Sequence, residues 1–130
     1  MTLTQKVFAL KGISPFNTLS DSELIITATM TQLKHYEEGS KIYSAGSTLY
    51  NLFVIAQGEA YNSFSQEQKG FFGLDGLLND EALDYDVVAL KDTDVLLISK
   101  AHLLTLLYEC PYLMLGFLSL KKDNTHEIEI

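Results

Sequence analysis

Between residues 31 and 98 the chain is cut into short strand-like runs by closely spaced turn signals, and on both sides of that stretch it reads as helix. The runs fall at 32–36, 41–43, 49–55, 60–64, 71–73, 85–90 and 95–98, rich in β-branched and aromatic residues. Gly39, Gly46 and Gly58 each sit between two such runs, where a tight turn calls for positive φ; Gln57-Gly58 reads as a hairpin turn. Upstream, residues 5–10 predict a short helix ending at Gly12. Ser20, with Glu23 three residues later, predicts a capped second helix with Leu24, Ile25 and Ala28 on its apolar face. Downstream, Ser99 predicts a cap for a helix over 100–109, with Leu103, Leu104, Leu106 and Leu107 on its buried side. Pro111 opens a further helix through Met114, Leu115, Phe117 and Leu118. This order predicts an α+β fold: an antiparallel β-roll, a jelly-roll-like barrel, flanked by N-terminal and C-terminal helices. The division expected is a single domain over 1–130, with helices in 1–30, the roll in 31–98, helices in 99–120 and a polar, frayed tail in 121–130.

The balance of charge limits the partners. The net charge is −8 over 130 residues, and all nine basic residues are lysines, so the chain contains no arginine. The lysines are scattered, with only Lys121 and Lys122 adjacent. Neither nucleic acid nor an anionic membrane surface is an expected partner. The apolar stretches fall far short of the ~20 residues of a membrane span, and the first residues do not form a secretory signal. The lone Cys110 has no internal partner and reads as a small buried apolar residue. This usage fits a reducing, cytoplasmic setting.

Residues that carry chemistry are sparse. His35, His102 and His126 are widely separated, so no metal site is expected. No G-x-S-x-G elbow is present, and the acids at 75, 80, 81, 84 and 86 match no compact metal loop, reading instead as a solvated acidic loop. An enzyme is not expected, nor a cofactor. The aromatics Tyr36, Tyr43, Tyr50, Phe53, Tyr61, Phe64, Phe71 and Phe72 read mainly as core. Leu113, Met114, Phe117 and Leu118 read as a surface for a homodimer or an unknown protein partner, because a small roll leaves one side of that helix uncovered.

Five stretches together carry a family resemblance: Leu10-Lys11-Gly12-Ile13-Ser14-Pro15-Phe16-Asn17-Thr18-Leu19-Ser20, residues 36–46 with their two glycines, Leu52-Phe53-Val54-Ile55-Ala56-Gln57-Gly58-Glu59-Ala60, Phe72-Gly73, and the pair 87–90 and 96–99. Over about residues 7–118 the chain resembles the cyclic-nucleotide-binding domains of catabolite activators and kinase regulatory subunits. The resemblance implies a ligand segment at Phe72, Gly73, Leu74, Asp75, Leu83 and Asp84. In the family, Phe-Gly is followed by a glutamate for the ribose, and an arginine before the next strand holds the phosphate. Here Leu74 and Leu83 stand at those positions, and a guanidinium's paired hydrogen bonds are lost with the arginine. The hairpin between Gly58 and Phe72 is also clipped; Lys69 and Lys91 are the lysines that could replace the lost cation. The expectation is a non-catalytic regulatory or interaction module that does not bind cyclic nucleotide in the usual way. It would act through the last helix and the acidic loop. The alternative is a sensor that still takes a cyclic nucleotide or another small molecule in the roll and moves the C-terminal helices. A transcription factor would need a helix-turn-helix after the last helix, and these 130 residues carry none.

Overall fold

Strands β3 (Asn51–Gln57) and β7 (Thr93–Ser99) are apolar on both faces because both faces are covered. They pair antiparallel, with Phe53 opposite Leu97 and Val54 opposite Leu96. Successive side chains leave a strand on opposite sides. Leu52, Val54, Leu96 and Ile98 therefore enter a core shared with the helices, while Phe53 and Val95 enter a second core on the other side. Around this pair the computed structural model describes the backbone of residues 1–128 and the side chains of residues 1–120.

The remaining strands are β1 (Gln32–Tyr36), β2 (Lys41–Tyr43), β4 (Ala60–Asn62), β5 (Phe71–Phe72) and β6 (Val87–Ala89). They complete a four-stranded sheet in the order β1-β7-β3-β5 and a three-stranded sheet in the order β2-β6-β4, with every pairing antiparallel. The second core joins the two sheets through Tyr36, Tyr43, Phe53, Phe72, Val87 and Val95. The roll is thus two sheets face to face, not a closed barrel: no strand of one is hydrogen-bonded in register to a strand of the other. The turn at Gly58 also differs from the hairpin expected there. β3 and β4 belong to different sheets, so the chain crosses between them. Gly58 has φ 107°, and a Cβ there would lie 2.6 Å from the Thr93 Cα, so only glycine fits the crossing.

Helices α1 (Leu3–Lys11), α2 (Asp21–Met30), α4 (Lys100–Glu109) and α5 (Pro111–Ile128) cover the outer face of the larger sheet, and α3 (Leu74–Asn79) stands beside it. Ser20 and Glu23 form the expected capping box, and Ser99 accepts from His102 N–H as the cap of α4. The last helix continues to Ile128, past the boundary expected at residue 120; polar residues do not stop a helix already nucleated. The side chains of the tail expected over 121–130 lie outside the described residues. Leu113 and Phe117 differ from expectation: they point inward and are buried, while Leu115 and Leu118 of α5 are exposed. Three rings meet edge to face there: Phe117 to Phe16 (5.7 Å), Phe117 to Phe71 (5.1 Å) and Phe16 to Phe71 (6.5 Å). Among the aromatics, Tyr50 and Phe64 lie mostly on the surface, and the others named above are buried or half-buried.

Cys110 is buried as expected, but its thiol is not inert filler. It donates to the Glu23 carboxylate (3.1 Å), which also accepts from the Ser20 N–H (2.8 Å) and from the Tyr112 hydroxyl. These donors, Tyr112 foremost, hold the Glu23 carboxyl at about 2 against its usual 4.5. One carboxylate therefore ties the start of α2 to the junction of α4 and α5.

Two outcomes follow from this packing. Phe117→Ala should cost about 3–5 kcal/mol in urea unfolding, and Leu118→Ala no more than about 0.5 kcal/mol. A carboxyl depressed on folding stabilises above its unfolded pKa and loses that contribution as pH falls through the folded one. The excess stability of wild type over Glu23→Gln should accordingly be full above pH 5 and shrink steadily from 4.5 towards 2, as read by urea midpoints.

Candidate functional site

The segment that follows β5 is built by local constraints. Phe72 pairs opposite Phe53 on β3, and their rings stack at 4.6 Å. Gly73 then takes φ 93° and turns the chain into the single short helix α3. Asp80, also left-handed, ends it. Gly76 faces the returning chain so closely that a Cβ would lie 2.5 Å from the Glu81 carbonyl oxygen and 2.6 Å from the Leu49 side chain. The return is clamped at Leu83: its N–H donates to the Tyr43 hydroxyl (3.0 Å), and its carbonyl accepts from the Gly46 N–H (2.8 Å). Tyr43 in turn donates to the Ser47 carbonyl. The second turn glycine of the roll thus positions residue 83.

This fold of the chain borders an open cavity of about 370 Å³. Phe72, Gly73, Leu74, Asp75 and Leu83 all line it, so five of the six residues expected from the sequence come together. Asp84 does not; it is exposed and turned away from the described lining. The sequence reading missed Gln68, Phe71, Gly76, Tyr85, Phe117 and Leu120. Tyr85 had a signal, since Leu83, Tyr85 and Val87 alternate at the spacing of one strand face. Phe117 and Leu120 had a weaker one, their i, i+3 spacing on α5. Both lie against the cavity, and Phe117 packs on the wall residue Phe71.

The hollow carries a carboxylate and no described cation. Among the described residues no lysine lines the cavity, and Asp75 is the charged residue that does. Lys69 lies in an adjoining cavity of about 470 Å³, which shares Phe71 and Leu120 with the first. Lys91 is paired with Glu59 (3.8 Å). The acidic loop is partly engaged within the fold: Asp80 binds Lys100 (2.6 Å), and Asp86 binds Lys41 (3.4 Å) and accepts from the Ala45 N–H (2.7 Å). That amide, with Lys41 behind it, holds the Asp86 carboxyl below the usual range. Burial, reinforced by the Asp84 charge, pushes the Tyr85 phenol up, so it remains a neutral hydroxyl. His35 pairs with Asp94 (2.7 Å) on neighbouring strands, which raises its pKa. No cluster of metal-binding side chains occurs among the described residues.

Several solved structures share this arrangement. The catabolite activator protein of Thermus thermophilus is 22% identical with a TM-score of 0.76, covering 88% of this chain and 59% of its own. The sensor domain of the Pseudomonas aeruginosa transcriptional regulator DNR is 16% identical with a TM-score of 0.76, covering 97% of this chain and 93% of its own. PKAR CBD2 with Sp-2Cl-cAMPS bound is 18% identical with a TM-score of 0.74, covering all of this chain and 96% of its own. The fold is that of a cyclic-nucleotide-binding domain. No family model matches the sequence, and no curated protein matches it significantly. The chain spans about 59% of the length of the catabolite activator. One of the three is named as an activator and one as the sensor domain of a transcriptional regulator, and none is named as an enzyme. Because transcription regulators stand among them, the expectation of no nucleic-acid partner rests on charge alone and finds no support in the fold. No single helix among the described residues is long and apolar enough to cross a membrane.

The tight approach at Gly76 gives a direct check of how the segment is held. Gly76→Ala should destabilise by about 1–3 kcal/mol in urea unfolding, and it should shift the amide resonances of Leu83 and Tyr43 through the displaced return strand.

Proposed function

We propose that the chain is a non-catalytic regulatory or interaction module of the cyclic-nucleotide-binding fold, working in the cytoplasm, whose cavity does not take a cyclic nucleotide by the usual phosphate contact. One observation carries the reading. Leu83 occupies the place where the family resemblance puts an arginine, and the described lining supplies no other cation. A cyclic phosphate would lose a charge-assisted hydrogen bond, a loss of about 1.5–3 kcal/mol, and would meet Asp75 instead. Lys69 and Lys91, the candidate replacements, stand in the neighbouring cavity and in an ion pair. We read Phe72, Gly73, Leu74, Asp75 and Leu83 as the ligand-segment equivalents and leave Asp84 out of that set. The exposed side of α5, with Leu115 and Leu118, and the acidic loop from Asp75 to Asp86 are the surfaces through which a protein partner or second copy would act.

A second reading rests on the position of α5. Phe117 and Leu120 line the cavity, so any ligand there touches the helix that follows it. This supports a small-molecule sensor in which occupancy is read out by α5.

The two readings separate by titration with cyclic AMP and cyclic GMP, followed by amide shifts. Wild type should show no saturable shifts at residues 72–85 up to millimolar nucleotide. Leu83→Arg should tighten nucleotide binding about 10- to 150-fold over wild type, the equivalent of the restored charged bond. Saturable wild-type shifts at these residues would overturn the proposal.

A further inference from the structure

The cavity whose described lining holds no cation is still a hollow with a defined wall, and that lining points to a ligand of different chemistry. Its volume of about 370 Å³ falls in the range of small-molecule sites. The wall combines the rings of Phe71, Phe72, Tyr85 and Phe117 with the side chains of Leu74 and Leu83. The Phe72 ring is fixed by stacking on Phe53, and Phe71 by its edge contacts with Phe16 and Phe117, so these walls are preformed. Leu74 and Leu83, at the positions of the family's polar ligands, therefore add apolar surface to a wall that is polar elsewhere. Three polar side chains also line it, the uncharged Gln68 and Tyr85 and the carboxylate of Asp75. Such a wall rewards desolvation of flat apolar surface and one or two neutral hydrogen bonds. It penalises a carboxylate or phosphate, which would leave water without gaining a described cation.

We propose that this cavity binds an uncharged aromatic small molecule, seated among Phe71, Phe72, Leu74 and Leu83, with Gln68 and Tyr85 fixing its polar atoms and Phe117 and Leu120 of α5 closing over it. This rests on the reading that the site has given up cyclic phosphate, and it names the class that replaces it.

Indole and indole-3-acetate are the probes, since they share a ring and differ by one carboxylate. Each is titrated into the wild-type chain, followed by amide shifts, with cyclic AMP as a separate arm. The expected result is saturable indole shifts at residues 71–74, 83 and 85 at millimolar concentration. Indole-3-acetate should bind at least about fivefold more weakly, and cyclic AMP should give no shifts. Leu83→Arg, checked for folding by its amide dispersion, should weaken indole about 5- to 150-fold, the effect of a charge set against an apolar ligand. The probe comparison stands even if that variant fails to fold. Absent or scattered indole shifts, or tighter binding of the carboxylate than of indole, would overturn the inference; with cyclic AMP still silent, the proposed function would stand. Cyclic AMP shifts in wild type at these residues would overturn both.

Discussion

Everything in this fold hangs on β3 and β7 being buried on both sides. A strand apolar on alternate residues needs one cover, but Leu52, Phe53, Val54, Val95, Leu96 and Ile98 require two. The smaller sheet supplies one cover and the helices supply the other. That division sets where the functional segment can lie. β5 extends the larger sheet beside β3, so the chain leaving it at Gly73 emerges at the edge where the two cores meet. There α3 and the return to β6 form a hollow, and α5 reaches its wall through Phe117.

The contacts around that hollow explain how its chemistry can vary while the fold stays the same. The backbone of residue 83 is held by Tyr43 and Gly46, groups of the roll itself. The frame that presents the side chain is therefore independent of what the side chain is. A leucine can replace an arginine there without disturbing the turn, and the cavity changes character while the fold is kept. Two of the nearby acids are accounted for by the fold: Asp80 fastens the loop to a helix and Asp86 fastens it to a strand.

Much of this was legible in the sequence. The strands at Gln32–Tyr36 and Lys41–Tyr43 fall at the expected residues, because turn residues bound the runs. The caps at Ser20 and Ser99 are local chemistry and were readable as such. What was not legible depends on distant partners. Gln57-Gly58 has the look of a hairpin, and only the pairing of β4 with β6 makes it a crossing between sheets. Phe117 and Leu113 looked available for a partner, because the sequence does not say that Phe16 and Phe71 wait beneath them. Cys110 looked like apolar filler, since its acceptor, Glu23, lies 87 residues away in the chain. In the cavity, Leu74 and Asp75, which follow Phe72-Gly73, were found from the family pattern. Gln68 and the α5 residues were not, as they arrive from other elements.

The central claim is that this cavity has kept its frame and lost its affinity for a cyclic phosphate. The melting temperature of the wild-type protein, with and without about 1 mM cyclic AMP, tests it most directly. A site of micromolar affinity would add about 4 kcal/mol of stability under those conditions, a rise of many degrees for a domain of this size. The account predicts no rise. A clear, concentration-dependent rise would show that another group in the chain does the work of the missing arginine and would contradict it.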